Sequence, residues 1–274
     1  MAKKIIFSEN YGFCFGVKRA YESLNKVKGR AYTYGPIIHN PQVVEYFNKR
    51  GIHPVKSLNK LKKGEKLFIR AHGVPHNTIN SARRKGLAVC DLTCPYVKKS
   101  QILAQDLEKQ NYKVFIIGQK IHPEVKAIMG NLKAASIIEN INEAKDIKKQ
   151  KKIGIICQTT SNIEKAPAII NELKRKSTVV KIYDTICQAT KERQAAALRL
   201  AKRSDMVIVI GGKNSSNTKK LKELCEKYVS THQVETAREL NKNWFVHKKI
   251  IGITAGASTP NWIVSQTVQK IKSL

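Results

Sequence analysis

Short apolar, β-branched runs alternate along the chain with longer segments whose apolar residues recur at helical spacing. Residues 4–7, 32–34, 67–69, 88–90, 115–117, 153–157, 179–183, 208–210 and 250–253 read as strands. Segments 17–27, 77–85, 163–176, 219–228 and 260–271 read as helices between them. In the last of these Pro260 falls near the first turn, where its missing N–H is harmless. Alternation of this kind from end to end predicts an α/β protein with mainly parallel sheets.

The alternation is also a repeat. Tyr32-Thr33-Tyr34-Gly35-Pro36-Ile37-Ile38-His39-Asn40 resembles Phe115-Ile116-Ile117-Gly118-Gln119-Lys120-Ile121-His122-Pro123, and both resemble Ile208-Val209-Ile210-Gly211-Gly212-Lys213-Asn214-Ser215-Ser216. Each is a strand ending in glycine, then a polar loop that opens a helix. A second strand-then-loop element follows in each copy, at 67–73, 153–160 and 250–258. The first two copies close on a shared skeleton, Asp91-Leu92-Thr93-Cys94 and Asp184-Thr185-Ile186-Cys187, while the third runs out at the C-terminus. Cys14, in Gly12-Phe13-Cys14-Phe15-Gly16-Val17, lies at a similar strand-to-helix junction and supplies what the third copy lacks. The expectation is three pseudo-threefold-related lobes presenting one thiolate each to a shared centre. They span 1–94 (Cys14, His39, His72, Cys94), 95–187 (His122, Glu124, Thr159, Cys187) and 188–274 (Ser215, Ser216, Asn217, Ser258) with the C-terminal helix. No low-complexity linker separates them, so they are expected to pack as one body.

Composition bounds this picture without redirecting it. The 274 residues, 42% of them hydrophobic, suffice for a core. No apolar run approaches the roughly 18 residues of a membrane span, and the basic start leads into a short strand, not a signal-peptide core. The expected compartment is the cytoplasm, where six cysteines read as thiols or metal ligands and not as a disulfide framework. The net charge of +31, from 51 basic and 20 acidic residues, is spread over polar helix faces. It fits a lysine-rich proteome, and also attraction of an anionic substrate or an acidic partner. No nucleic-acid motif accompanies it, so nucleic acid is not an expected partner.

In parallel sheets ligands bind beyond the carboxyl ends of the strands, where loops converge on helix N-termini. The polar loops at that end hold His39, His72, His122 with Glu124, Thr159 and Thr160, Ser215-Ser216-Asn217 and Ser258. A single serine, threonine or asparagine there is usually a helix cap. The run Asn214 to Thr218 exceeds what a cap requires and, with Ala257-Ser258-Thr259, reads as a cradle for phosphate or diphosphate. His53, His76, His232 and His247 read as surface residues, and Cys225 as a mid-helix structural thiol. Buried small hydrophobes remain a reading for the junction cysteines, and zinc would ask for a fourth ligand. Three thiolates from three distant junctions better suit an iron–sulfur cluster with one iron left open.

Together these motifs resemble the LytB family, the 4-hydroxy-3-methylbut-2-enyl diphosphate reductases of the non-mevalonate isoprenoid pathway. The resemblance rests on Gly12 to Val17, Gly35 to Asn40, Arg70-Ala71-His72-Gly73-Val74, Thr93-Cys94-Pro95, His122-Pro123-Glu124-Val125, Gln158-Thr159-Thr160, Thr185-Ile186-Cys187, Ser215 to Thr218 and Thr254 to Ser258, nearly the whole chain. It implies one [4Fe–4S] cluster per chain on Cys14, Cys94 and Cys187, with one iron not ligated by protein. It implies diphosphate binding by His39, His72, Ser215, Asn217 and Ser258, assisted by Ser216 and His122. Glu124 and Thr159 would handle the substrate hydroxyl and its proton, with His122 beside them. The implied reaction is reductive dehydroxylation to isopentenyl and dimethylallyl diphosphates, the last step of that pathway, with ferredoxin or flavodoxin as electron donor. A cluster-free phosphohydrolase or nucleotide-binding enzyme using the same strand-end loops, and a basic nucleic-acid-binding or scaffolding protein, are the competing classes. A colourless, oxygen-stable enzyme would mark the first, and salt-sensitive RNA binding without turnover the second.

Overall fold

The structure is a computed structural model that describes residues 3–274. The chain opens with β1 (Lys4–Phe7) and α1 (Phe15–Asn25). The first repeat runs β2 (Ala31–Tyr34), α2 (Pro41–Asn48), β3 (Ile52–Val55), β4 (Lys66–Ile69), α3 (His76–Arg84), β5 (Ala88–Asp91) and α4 (Pro95–Lys109). The second runs β6 (Lys113–Ile117), α5 (Pro123–Met129), β7 (Ala135–Ile138), α6 (Ile141–Lys145), β8 (Lys152–Cys157), α7 (Ala166–Lys174), β9 (Val179–Ile182) and α8 (Gln188–Ala201). The third comprises β10 (Met206–Ile210), α9 (Ser216–Cys225), β11 (Ser230–Val234), β12 (Ile250–Ala255) and α10 (Asn261–Lys272).

The strands form three four-stranded sheets, ordered β3-β2-β4-β5, β7-β6-β8-β9 and β11-β10-β12-β1. Every pairing between them is parallel. The three orders are one topology, in which β1 takes in the third sheet the place of β5 and β9. Lys4 to Phe7 pair with Ile250 to Ile253, so the stretch 1–94 expected as the first lobe gives its opening strand to the third sheet. The chain divides into two compact bodies. One holds the third sheet and comprises residues through Lys18, His39–Val43 and Gln188–Leu274; the other holds the first two sheets in Arg19–Ile38 and Val44–Cys187.

The apolar runs became the central strands because both of their faces are covered. In β6, Phe115 and Ile117 pack with Ile155, Ile169 and Leu173, while Val114 and Ile116 face the other way onto Ala104, Leu107 and Ile128. In β10, Met206, Ile208 and Ile210 join Ile251 and Ile263, while Val207 and Val209 meet Leu221, Cys225 and Ala197. Strand periodicity of two thus feeds two core layers from a single run.

Helix ends differ from their expected positions where local hydrogen bonds intervene. The segment 163–176 begins its helix at Ala166 because Asn162 Oδ1 accepts from the N–H groups of Glu164 and Lys165 and holds a turn first. Pro260 is the residue before α10, with extended backbone, and not part of its first turn. Cys225, expected in mid-helix, is the last residue of α9. His232, read as a surface residue, stacks on Trp244 with ring centroids 4.0 Å apart.

Candidate functional site

Each junction cysteine is the residue immediately before a helix: Cys14 before α1, Cys94 before α4 and Cys187 before α8. Each also follows the equivalent strand of its sheet, β1, β5 or β9. Backbone hydrogen bonds fix all three junctions to the end of the neighbouring strand. Cys14 N–H donates to the Ala257 carbonyl (3.2 Å), Cys94 N–H to Ala71 (2.9 Å) and Cys187 N–H to Thr159 (3.1 Å). These three thiols are half-buried, and none of the six cysteines forms a disulfide. Cys157 and Cys225 are buried, and burial pushes the Cys225 thiol up to about 12. Cys90 is exposed on the edge strand β5.

The body containing the first two sheets holds His72, Cys94, His122, Glu124, Thr159 and Cys187. Pro123 begins α5, and His122 caps it by accepting the Glu124 N–H on Nδ1 (3.2 Å). Acceptance at Nδ1 leaves the ring proton of a neutral imidazole on Nε2, which is then a donor. Glu124 is only 1% exposed. Its carboxyl accepts from the Thr159 N–H (2.6 Å) and the Thr159 hydroxyl (2.7 Å). Burial raises its pKa from 4.5 to about 7 against the opposing pull of those two hydrogen bonds. Glu124 is thus a buried carboxyl whose pKa is raised to about 7. The Thr159 carbonyl accepts the bond from the Cys187 N–H, so the loop that holds Glu124 is tied directly to the Cys187 junction.

Neighbouring loops are held by similar local means. The rings of His72 and His122 meet edge to face, 5.3 Å apart. Asp91 accepts from the N–H and hydroxyl of Thr93 and pairs with Lys98 at 2.6 Å. Burial pushes the Asp91 carboxyl up, but the Lys98 and Thr93 hydrogen bonds outweigh it and hold the carboxyl below its ordinary range. The Asp-x-x-Cys skeleton is therefore a hydrogen-bonded turn delivering Cys94 to the start of α4. In the second copy the Thr185 hydroxyl bonds both the N–H and the carbonyl of Cys157 at the end of β8. Gln158 is 1% exposed, accepts the Gln119 N–H and donates to the Thr160 hydroxyl, so Thr160 shapes this loop. Gly35, with φ +73°, lets the half-buried Arg70 guanidinium pass where a Cβ would lie 2.7 Å from Nη1.

The other body holds Cys14, His39, Ser215, Ser216, Asn217 and Ser258. Ser215 caps α9 by accepting the Thr218 N–H (3.3 Å). The Ser258 hydroxyl donates to the His39 carbonyl (3.2 Å) and lies 3.5 Å from the Ser215 hydroxyl. Ser215, Ser216, Asn217 and Ser258 are all buried. Ser215 and Ser258 are consumed in part by capping and loop closure, but both amide atoms of Asn217 are buried with no protein partner. A buried amide left unsatisfied costs roughly 1–3 kcal/mol, a cost that a polar ligand at this loop would offset. Asn40, quoted in the sequence motif without a role, is buried in the same body. Its signal, an asparagine just before Pro41 at a helix start, reads first as a cap.

A buried carboxyl of raised pKa in one body, buried hydroxyls beside an unpartnered amide in the other, and thiols at helix starts in each are the marks of an α/β enzyme with its reactive side chains at the strand ends. Comparison with known proteins narrows the class. The model of the LytB protein family matches residues 5–272, and the chain belongs to that family. It is 42% identical to the 4-hydroxy-3-methylbut-2-enyl diphosphate reductase of Geobacter metallireducens over 277 residues, covering 99% of this chain and 98% of that one. It is 40% identical to the enzyme of the same name from Aquifex aeolicus, covering 98% and 96%. A solved structure of (E)-4-hydroxy-3-methyl-but-2-enyl diphosphate reductase, the terminal enzyme of the non-mevalonate pathway, superposes with TM-score 0.72 at 40% identity, covering 99% of this chain and 100% of that chain. The E-1-hydroxy-2-methyl-but-2-enyl-4-diphosphate reductase from Plasmodium falciparum superposes with TM-score 0.93 at 30% identity, covering 98% and 88%.

Proposed function

We propose that this chain is a 4-hydroxy-3-methylbut-2-enyl diphosphate reductase, removing the allylic hydroxyl as water with two electrons and two protons to give isopentenyl and dimethylallyl diphosphates. The observation that carries the chemistry is Glu124, a buried carboxyl with a pKa of about 7 bonded twice to Thr159. At neutral pH a large fraction of it holds the proton that a leaving hydroxyl needs. The Thr159 hydroxyl, 2.7 Å from Oε2, can pass that proton outward while the Thr159 N–H steadies the carboxylate that remains.

Cys14, Cys94 and Cys187 are the residues we assign to a [4Fe–4S] cluster with one iron lacking a protein ligand. The assignment is supported by their equivalent positions after β1, β5 and β9 and by half-burial of just these junction thiols. Such a cluster, when bound, supplies single electrons and a Lewis-acidic iron. Electrons would come from a small carrier such as ferredoxin or flavodoxin. His39, His72, Ser215, Asn217 and Ser258, helped by Ser216 and His122, hold the diphosphate in this reading, and the Nε2–H of His122 is suited to an anionic oxygen. The lobes close near Cys94 and Cys187, with β1 completing the third. Among the described residues no helix is long and apolar enough to cross a membrane.

Anaerobic purification followed by iron, sulfide and absorption analysis, then turnover with an artificial reductant, tests the proposal. A brown protein with close to four irons per chain that reduces the allylic diphosphate is expected. A colourless, oxygen-stable protein that hydrolyses the substrate instead would overturn it.

A further inference from the structure

Asn40 is 1% exposed and precedes α2. Its Oδ1 accepts the Val43 N–H at 3.0 Å. Because the partner is a backbone donor, the amide orientation is fixed, with oxygen on the helix end and nitrogen on the opposite branch. That nitrogen is buried with no protein partner. Capping explains the oxygen alone, since serine, threonine or aspartate would cap equally well and bury no spare donor.

What lies beside Asn40 is the anion cradle. The His39 carbonyl accepts the Ser258 hydroxyl at 3.2 Å, and Ser258 is 3.5 Å from Ser215. A Cβ at Gly212 would stand 2.4 Å from the His39 carbonyl oxygen and 3.6 Å from the Asn40 Cα, so the α9 loop runs directly against this segment. His39–Val43 accordingly belongs to the compact body of the third sheet, although its flanking residues do not. Asn217, at the start of α9, is the other asparagine of this body with unpartnered buried amide nitrogen. Two helices of eight and ten residues thus begin close together, each with an orphan carboxamide donor and no buried carboxylate beside it.

We propose that Asn40 is a further binding residue of the cradle, its Nδ2 donating to an oxygen of the substrate diphosphate while its Oδ1 caps α2. The assignment rests on the reductase reading above. It divides one side chain between two tasks, so the helix that positions His39 is tied to the group that senses the anion.

The test is titration of the anaerobically purified holoenzyme with inorganic diphosphate, in wild type, Asn40→Asp and Asn40→Ser. Both variants keep a capping oxygen, and both lose the carboxamide nitrogen. Asn40→Ser is expected to weaken diphosphate binding about tenfold, as for loss of one hydrogen bond to a charged group. Asn40→Asp should weaken it further, with iron content and melting temperature of both close to wild type. Unchanged affinity in Asn40→Ser overturns the assignment, even if Asn40→Asp binds worse, because charge repulsion alone would then account for the aspartate. Should either variant misfold, a crystal structure of wild type with inorganic diphosphate decides. A phosphate oxygen within about 3.2 Å of Nδ2 is expected, and a water there with no phosphate in reach overturns the proposal. Failure of the wild type to bind diphosphate or to hold iron would sink the reductase reading, whereas equal binding by wild type and Asn40→Ser sinks only the role of Asn40.

Discussion

Replacing Glu124 by Gln keeps the volume of the side chain and its acceptor for the Thr159 N–H, but removes the transferable proton. The carboxyl is lifted from 4.5 to about 7 by burial, which at 1.36 kcal/mol per pH unit makes the buried carboxylate about 3 kcal/mol costlier than in the unfolded chain. Because the folded value lies above the unfolded one, the native state takes up a proton between these limits. The stability contributed by this group is therefore complete below about pH 4.5 and lost as pH rises through about 7. Anaerobic denaturant unfolding of both proteins should show wild type losing about 3 kcal/mol relative to Glu124→Gln between pH 4.5 and pH 8. Turnover with an artificial reductant should fall at least about 10²-fold in the variant, the lower end for a lost general acid. Wild-type turnover should decline as pH rises through about 7. Two results would refute the reasoning: near-normal turnover in Glu124→Gln, or a stability difference between the two proteins that does not change across that pH window.

Cys14→Ser, Cys94→Ser and Cys187→Ser should each lose bound iron and activity. Cys225→Ser should keep its iron, since that buried thiol bonds the Ala197 carbonyl in the core of the third sheet; iron loss there, measured by metal analysis, would contradict the ligand assignment. Thr159→Val removes the hydroxyl bond that pulls the Glu124 pKa down while leaving the backbone bond. Its alkaline limb of activity should move to higher pH as turnover drops, and an unmoved limb would count against the pair. Gly212→Ala puts a methyl 2.4 Å from the His39 carbonyl oxygen. It should cost roughly 1–3 kcal/mol of stability and raise the substrate KM without removing iron, a split that iron analysis and steady-state kinetics would check.

The threefold repeat was legible because it is local. Each copy spells an apolar strand, a glycine and a polar helix start within about ten residues, and that pattern suffices to set a strand-to-helix junction. The cysteines, the Ser215 loop and the α/β class followed from it, and the resemblance of these motifs named the chemistry. Even the equivalence of Cys14 to Cys94 and Cys187 could be read, as the missing member of a periodic set.

What remained hidden depends on residues far apart in the chain. That β1 completes the third sheet is a backbone pairing between Lys4 and Ile250, and ladder hydrogen bonds are the same for any sequence, so nothing in residues 4–7 specifies that partner. The pKa of Glu124 is set by the amount of protein around it, which no local stretch of sequence records. The double use of Asn40 required knowing that its oxygen meets Val43 while its nitrogen meets no protein atom. The sequence by itself determined the elements, their repetition and which side chains stand at the strand-to-helix junctions, because these are fixed by local periodicity and residue chemistry. Tertiary structure alone decided which strand closes the third sheet, which carboxyl is held near neutrality and which amide is left unpaired, because strand pairing, burial and satisfaction of polar groups arise only when distant segments exclude water together.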